Sequence, residues 1–70
     1  MKEITPERLR CAFGTCPAVF LTATGSLVII GKRLSPEALG SISYRIGEGE
    51  EAVTIDLTYL EELPPFIRTE

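Results

Sequence analysis

The sequence predicts a small, mainly β, α+β domain: a sheet of about four short strands, with short helices at the N-terminus, after the hairpin and at the C-terminus. Three observations lead to this class. Runs rich in β-branched residues are separated by glycine-containing turns. Two Thr/Ser-Pro-Glu stretches have the signature of a helix start. The 70 residues are enough for one domain, which we expect over residues 1–63, followed by a frayed tail at 64–70.

Two helices are predicted from those starts. In the first, Thr5 is the N-cap and the helix ends near Ala12. In the second, Ser35 is the N-cap, Pro36 occupies the first turn, and Gly40 ends the helix after little more than one turn. Both helices are therefore expected to be short and to lie at the edges of the sheet.

A third helix is predicted near the C-terminus. Thr58 and Glu61 have the spacing of a capping box. Leu60 and Leu63 would then lie on the inner face of this helix, and the proline pair at 64–65 would end it.

A β-hairpin is predicted within residues 18–34, because two apolar arms flank the turn sequence Ala23-Thr24-Gly25-Ser26. Its second arm is apolar on both faces. Such a strand is usually covered on both sides or paired across a dimer. The candidate dimer or partner surface therefore consists of Leu27, Val28, Ile29 and Ile30.

Two further strands are predicted from alternating apolar and polar residues. One spans residues 42–46, and the other begins at residue 52 after a loop of glycine and glutamate. The positions expected to face inward are Ile42, Tyr44, Ile46, Val53, Ile55 and Leu57.

The composition argues against two classes of partner. Ten acidic and seven basic residues give a net charge of −3, which suits neither nucleic acid nor an anionic membrane surface. No apolar stretch approaches the ~18 residues of a spanning helix. The charged start lacks an apolar signal region, so we expect a cytoplasmic location. The absence of His, Asn and Gln fits either a thermophilic source or a biased base composition.

The two cysteines, Cys11 and Cys16, leave four interpretations open. A structural zinc ion needs four nitrogen or sulfur ligands, so two chains would have to share one site, because each offers two thiols and no imidazole. A disulfide conflicts with a reducing cytosol. A redox pair normally has C-x-x-C spacing, which is absent. We favour two small buried thiols, take a disulfide as the next interpretation, expect no cofactor, and keep zinc as a further alternative.

The basic residues Lys32, Arg33 and Arg45 are the candidate contacts for an anion or a nucleic acid. More often such residues are solvated charges that discourage strand pairing at a sheet edge. The acidic loop at residues 47–51 lacks the Asp and Asn that calcium loops prefer, so we expect a solvated turn. Catalysis is not expected, because the chain has no His and no Ser or Cys with a base partner in view.

Three motifs resemble those of a group of short uncharacterised bacterial proteins. They are C-x4-C-P-x-V at residues 11–19, G-x-[LV]-V-x-x-G at residues 25–31, and a G-E-G-E turn at residues 47–50. The resemblance extends from residue 11 to about residue 60. It implies a freestanding small bacterial protein and no particular activity.

A second resemblance is to the swapped-hairpin DNA-binding domains of transition-state regulators and antitoxins. It rests on the order of a turn at Gly25, the apolar strand Leu27–Ile30, a short helix ending in Leu39-Gly40, and the acidic glycine turn. It implies a DNA-binding transcriptional regulator or antitoxin in which the three basic residues named above contact DNA. The chain departs from that family in the longer spacing between Gly25 and Leu39 and in its few basic residues.

The function predicted from the sequence is that of a small cytoplasmic, non-enzymatic module that dimerises or binds another protein. A chain of this length buries only ~60% of the surface of its unfolded state, yet its strands carry many apolar residues. Two alternatives stay open: a swapped-hairpin DNA-binding regulator, and a module stabilised by zinc or a disulfide at Cys11 and Cys16.

Overall fold

The computed structural model describes residues 1–11, 14 and 16–63, and it confirms the α+β class. Within these residues, five short strands form two small antiparallel sheets. The strands are β1 (Lys2–Glu3), β2 (Ala18–Leu21), β3 (Leu27–Ile30), β4 (Lys32–Arg33) and β5 (Val53–Thr54). The helices are α1 (Pro36–Ile42) and α2 (Leu57–Glu61), with 3₁₀ turns at Glu7–Leu9 and Ser43–Arg45. The predicted frayed tail, residues 64–70, lies outside the described residues.

The larger sheet has the strand order β1-β2-β3 and is antiparallel throughout. Its central strand, β2, pairs Val19 with Ile29 and Leu21 with Leu27. Directly paired residues share a face of the sheet, so these four lie on the side toward the core. The opposite face carries Ala18, Phe20, Val28 and Ile30.

The N-terminal segment extends this sheet instead of beginning a helix, so Thr5 is not the N-cap predicted from the sequence. The Ile4 N–H donates to the Val19 carbonyl at 2.8 Å. The Val19 N–H donates to Thr5 Oγ1 at 2.9 Å, and the Thr5 hydroxyl donates to Glu3 Oε2 at 2.9 Å. Because the hydroxyl satisfies a strand amide in a buried position, it is not available to cap a helix.

The first helix is correspondingly shorter than predicted. A single 3₁₀ turn, Glu7–Leu9, replaces it, with Pro6 at the N-cap position and no side-chain cap. The predicted end at Ala12 lies outside the described residues.

The core lies between the larger sheet and α2. Its buried members are Ile4, Val19 and Leu63, of which Val19 is 0% exposed. Four half-buried side chains pack against them: Leu21, Ile29, Ile55 and Leu60. Leu60 contributes to the core from α2, as predicted, whereas Leu63 does so from two residues beyond the end of that helix.

Helix α2 is held against the N-terminal segment by polar contacts. The Tyr59 hydroxyl donates to the Leu9 carbonyl at 3.3 Å. The Arg8 guanidinium forms an ion pair with Glu62, in which Nε lies 2.9 Å from Oε2. These contacts join residues that are about 50 positions apart in the chain, and they hold α2 and Glu62 against the 3₁₀ turn at Glu7–Leu9.

The N-cap of α2 is Asp56, one residue before the helix, and the predicted capping box at Thr58 and Glu61 does not form the cap. Asp56 Oδ1 accepts from the Thr58 N–H at 2.9 Å. Asp is a strong N-cap and its charge favours the positive end of the helix.

The hairpin turn confirms the prediction made from the sequence. The Gly25 N–H donates to the Thr22 carbonyl at 3.1 Å, and the Thr22 N–H donates to the Ser26 carbonyl at 2.9 Å. Gly25 has a φ of +89°. This is the three-residue hairpin loop in which glycine occupies the left-handed position.

Helix α1 begins where the sequence predicts, but it runs further. Ser35 Oγ accepts from the Ala38 N–H at 3.1 Å, and Pro36 occupies the first turn. The helix passes through Gly40, and the 3₁₀ turn continues it to Arg45, making a ten-residue helical segment. The predictions of a helix end at Gly40 and of a strand over residues 42–46 are therefore wrong.

This helical segment accommodates a glycine and two serines, which are not strong helix formers. A glycine inside a helix costs only about 1 kcal/mol relative to alanine. The Ser41 hydroxyl donates to the Glu37 carbonyl at 3.0 Å, and the Ser43 hydroxyl donates to the Gly40 carbonyl at 3.2 Å. Tyr44, predicted to face inward from a strand, is 82% exposed.

The smaller sheet pairs β4 with β5, opposing Lys32 to Thr54 and Arg33 to Val53. Gly31 joins β3 to β4 and lies so close to β5 that a Cβ there would overlap the Thr54 carbonyl oxygen. A glycine is needed at this approach of two backbones.

Not all of the predicted inward positions near β5 face the core. Ile55 packs on it, but Val53 is 43% exposed and Leu57 is 65% exposed. The alternating pattern is interrupted because β5 is only two residues long and Asp56 begins the next helix.

Candidate interaction surface

The chain has two regions that differ in burial. We call residues 31–56 the groove half; the sheet half comprises the described residues within 1–30, together with residues 57–63. No residue of the groove half is buried. Helix α1 and its 3₁₀ extension contain no buried residue, and Leu39 and Ile42 are 42% and 38% exposed. A helix in a globular protein normally obtains most of its stability by packing an apolar face, and α1 has no such buried face.

The groove half contains an open groove of about 470 Å³ that is lined by residues of α1, β4, β5 and the loops between them. Most of its lining is apolar. Leu34, Ile46 and Ala52 are half-buried, whereas Leu39 and Val53 are exposed. The groove therefore presents apolar side chains at the protein surface.

Charges of both signs also line this groove. Arg33 comes from β4, and Glu50 and Glu51 come from the loop before β5. Glu50 Oε1 accepts from the Gly47 N–H at 2.8 Å and so braces the turn in which Gly49 has a φ of +84°. In the part of the chain that the structure describes, neither Arg33 nor Glu51 forms a salt bridge.

The hairpin surface predicted from the sequence, Leu27–Ile30, is divided between the two sides of the sheet. Ile29 packs against the core. Leu27, Val28 and Ile30 are 38%, 37% and 52% exposed. Within the described residues β3 pairs with β2 alone, so its other edge carries backbone groups without a strand partner. The described residues therefore leave part of the strand exposed.

Cys11 and Cys16 form a disulfide, with their Cα atoms 5.8 Å apart, an ordinary span for such a bond. Cys11 is exposed and Cys16 is half-buried, so the expectation of two small buried thiols is wrong. Gly14, which lies between the two cysteines in the sequence, has a φ of +71°, in the left-handed region that favours glycine. The zinc alternative requires both thiols and stays a prediction for the reduced chain. A disulfide is at odds with a reducing cytosol, so the cytoplasmic location also stays a prediction.

The three basic residues proposed as anion contacts do not line a common cavity. Successive side chains of a strand point to opposite faces, and Lys32 and Arg33 are adjacent in β4. Lys32 lies at a cavity with Arg8 and Tyr59, and Arg33 lies at the groove. Arg45 ends the 3₁₀ turn and lines neither. Neither cavity brings the three basic residues together, and their role as contacts for an anion or a nucleic acid stays a prediction.

The described residues show two resolved pKa shifts, and both have structural causes. Hydrogen bonding to Glu62 and its negative charge raise the pKa of Arg8. Hydrogen bonds from the Thr58 hydroxyl and N–H lower the pKa of Asp56. Both groups are exposed, and neither shift prepares a group for proton transfer near neutral pH.

The described part of the chain contains no group of three or more His, Cys, Asp or Glu side chains that could hold a metal ion. It also has no helix that is long and apolar enough to cross a membrane.

Sequence reasoning misses the groove because it assigns residues 42–46 to a strand. The signal that was available is the spacing of Leu39, Ile42 and Ile46, which is i, i+3, i+7 and typical of one helix face. That helical spacing competes with the alternating pattern of residues 42–46, which is typical of a strand. The Ser35 cap stabilises the start of the helix and so favours the helical conformation.

Comparisons of the chain with protein-family models, with curated protein sequences and with solved structures find no match.

Proposed function

We propose that this chain is a non-enzymatic protein-interaction module that associates with a second copy of itself. One observation carries the proposal: no residue from 20 to 58 is buried, although this stretch contains β3, α1, β4 and β5. Secondary structure without a core is marginal in water. A partner that covers the exposed apolar side chains supplies the missing burial.

The type of exposed surface supports a polypeptide partner over a small ligand. The exposed apolar side chains are distributed over a strand, a helix and an open groove, and each is only partly accessible. Small-molecule sites are usually concave and enclose most of their ligand. Burial of apolar surface contributes about 25 cal/mol per Å² to the free energy of association. A broad contact that covers several of these side chains therefore gains more free energy than a contact with one of them.

The test is the mass of the wild-type chain in solution. Multi-angle light scattering after size exclusion, run from low to high micromolar loading, should show a mass rising from 7.7 kDa to twice that value. The rise must be reversible on dilution. A mass of 7.7 kDa at every concentration would overturn the proposal.

DNA binding is the rival function, and the arrangement of charge does not favour it. The chain has net charge −3, and Lys32 and Arg33 line different cavities. We expect no retention of a random duplex at low salt, where non-specific binding is strongest. Salt-sensitive retention that is lost in a Lys32→Ala/Arg33→Ala variant would favour the regulator instead.

A further inference from the structure

We propose that the groove is the contact surface of a symmetric pair of chains, in which the groove half of each copy packs on α1 of the other. In this pair, Arg33 of each copy faces Glu51 of the other. The inference rests on the self-association proposed above and names its surface.

The charges at the groove are what identify a second copy as the occupant. A two-fold contact buries the same surface on both chains, so that surface must be complementary to itself. The groove meets this requirement because Arg33 and Glu51 line it together and neither forms a salt bridge within the described residues. A two-fold axis brings the cation of one groove to the anion of the other, and the pair then forms twice.

The apolar lining of the groove also fits this arrangement. Leu39 and Ile42 stand one helical turn apart in α1, and both are exposed. Leu39 lines the groove together with Val53, which is 43% exposed. Packing two such surfaces together removes apolar area on both chains and gives α1 the packing that it lacks in one chain.

The exposed hairpin strand β3 does not indicate which partner would cover it. Leu27, Val28 and Ile30 are exposed, but β3 contains no charged residue that would set the register or choice of a partner. Of these two surfaces, only the groove carries charged residues that indicate its partner.

The first experiment exchanges the charges and measures the dimer dissociation constant by sedimentation equilibrium. Arg33→Glu should raise the constant by about tenfold or more, since it places three like charges at each groove. Glu51→Arg should weaken the pair in the same direction. The double variant Arg33→Glu/Glu51→Arg should return to within about threefold of wild type, because the pairing is restored with reversed sign.

Lys32→Glu is the matched control for the charge exchange. It makes the same change in net charge at the adjacent position of β4, but on the opposite face. We expect it to change the dissociation constant by less than about threefold.

The second experiment compares two exposed leucines. Leu39→Glu buries a charge in the proposed contact and should raise the dissociation constant by about thirtyfold or more. Leu57→Glu introduces the same charge at the first position of α2, 65% exposed and outside the groove, and should leave the constant nearly unchanged. Far-UV circular dichroism of each variant at the concentration of the measurement separates loss of association from loss of fold.

The outcomes distinguish the two proposals. If the wild type is a monomer throughout, both fail. If the wild type dimerises, but Leu39→Glu has no effect and the double charge variant does not restore what the singles lose, self-association stands and the groove is the wrong surface. An Ile30→Glu variant that then dissociates the pair would assign the contact to the hairpin.

Discussion

The sheet half and the groove half are built from similar amounts of secondary structure, but only one has a core. Val19, Ile4 and Leu63 are buried in the sheet half, whereas every residue from 31 to 56 keeps at least partial exposure. The groove half is defined instead by local signals, such as the Ser35 cap and the glycine turn braced by Glu50. Local hydrogen bonds are thus enough to define helices, strands and turns in the groove half. Burial of their side chains requires packing against other parts of the chain or against a partner.

The two halves are nevertheless connected at two points. Gly31 leads directly from β3 into β4 and lies against Thr54. Ile55, at the end of β5, packs on the core of the sheet half. Any partner that orders the groove half therefore acts on a segment anchored at both ends.

The largest expected difference in the free energy of unfolding is between a valine-to-alanine substitution in the sheet half and one in the groove half. Val19→Ala should lower the free energy of unfolding by about 2–3 kcal/mol, because it leaves a cavity at a fully buried site. Val53→Ala, at a 43% exposed site, should cost well under half of that in dilute solution. Urea denaturation of both variants at equal concentration provides the measurement. Equal losses would remove the distinction between the halves.

The junction between the halves should be nearly as sensitive. Gly31→Ala places a methyl group against the Thr54 carbonyl oxygen, and overpacking of this kind typically costs about 1–3 kcal/mol. Gly40→Ala is the control, since a Cβ there meets nothing within 4 Å and alanine favours the helix by about 1 kcal/mol. Thermal unfolding should show opposite shifts for the two variants. A neutral Gly31→Ala would mean that β4 and β5 are not held together as described.

The disulfide belongs to the sheet half, because Cys11 and Cys16 lie between the 3₁₀ turn at Glu7–Leu9 and β2. Closing the loop between Cys11 and Cys16 stabilises the folded chain by about 2 kcal/mol through the entropy of the unfolded state. Reduction, or the Cys11→Ser/Cys16→Ser variant, should lower the free energy of unfolding by that amount. Thiol counting under native conditions checks the starting state. Two reactive thiols in protein purified without reductant would contradict the disulfide.

The smallest effect is a pH dependence at the cap of α2. The pKa of Asp56 is lowered by Thr58, so its charged form stabilises the fold above the ordinary Asp pKa of 3.8. That contribution is lost as the pH falls through the lower folded value. Asp56→Asn keeps a cap without the charge. The stability advantage of wild type over this variant should be constant near neutral pH and decline below 3.8; an advantage that grows on acidification would contradict the assignment.

Local signals account for the part of the fold that could be predicted from the sequence. Gly25 marks the hairpin turn, and Ser35 with Pro36 marks the start of α1, because each acts through hydrogen bonds or dihedral angles of its immediate neighbours. The α+β class follows from the same local patterns.

What could not be predicted depends on contacts between distant segments. Thr5 has the residue type of an N-cap, yet its hydroxyl serves Val19 across the sheet, and no local pattern shows that pairing. The groove depends on α1 continuing through Gly40, where helical and strand spacings compete. The Cys11–Cys16 pairing was one of four interpretations that spacing alone left open.

The central claim is that a second copy supplies the packing that the groove half lacks. Hydrogen exchange of the α1 amides, measured below and above the concentration at which the chain associates, tests it most directly. We predict that α1 amides, including Leu39, whose N–H donates to the Ser35 carbonyl at 2.9 Å, exchange more slowly at the higher concentration. Amides of β2 should change much less. Slow α1 exchange that is identical at both concentrations, in a chain whose mass stays at 7.7 kDa, would contradict the account.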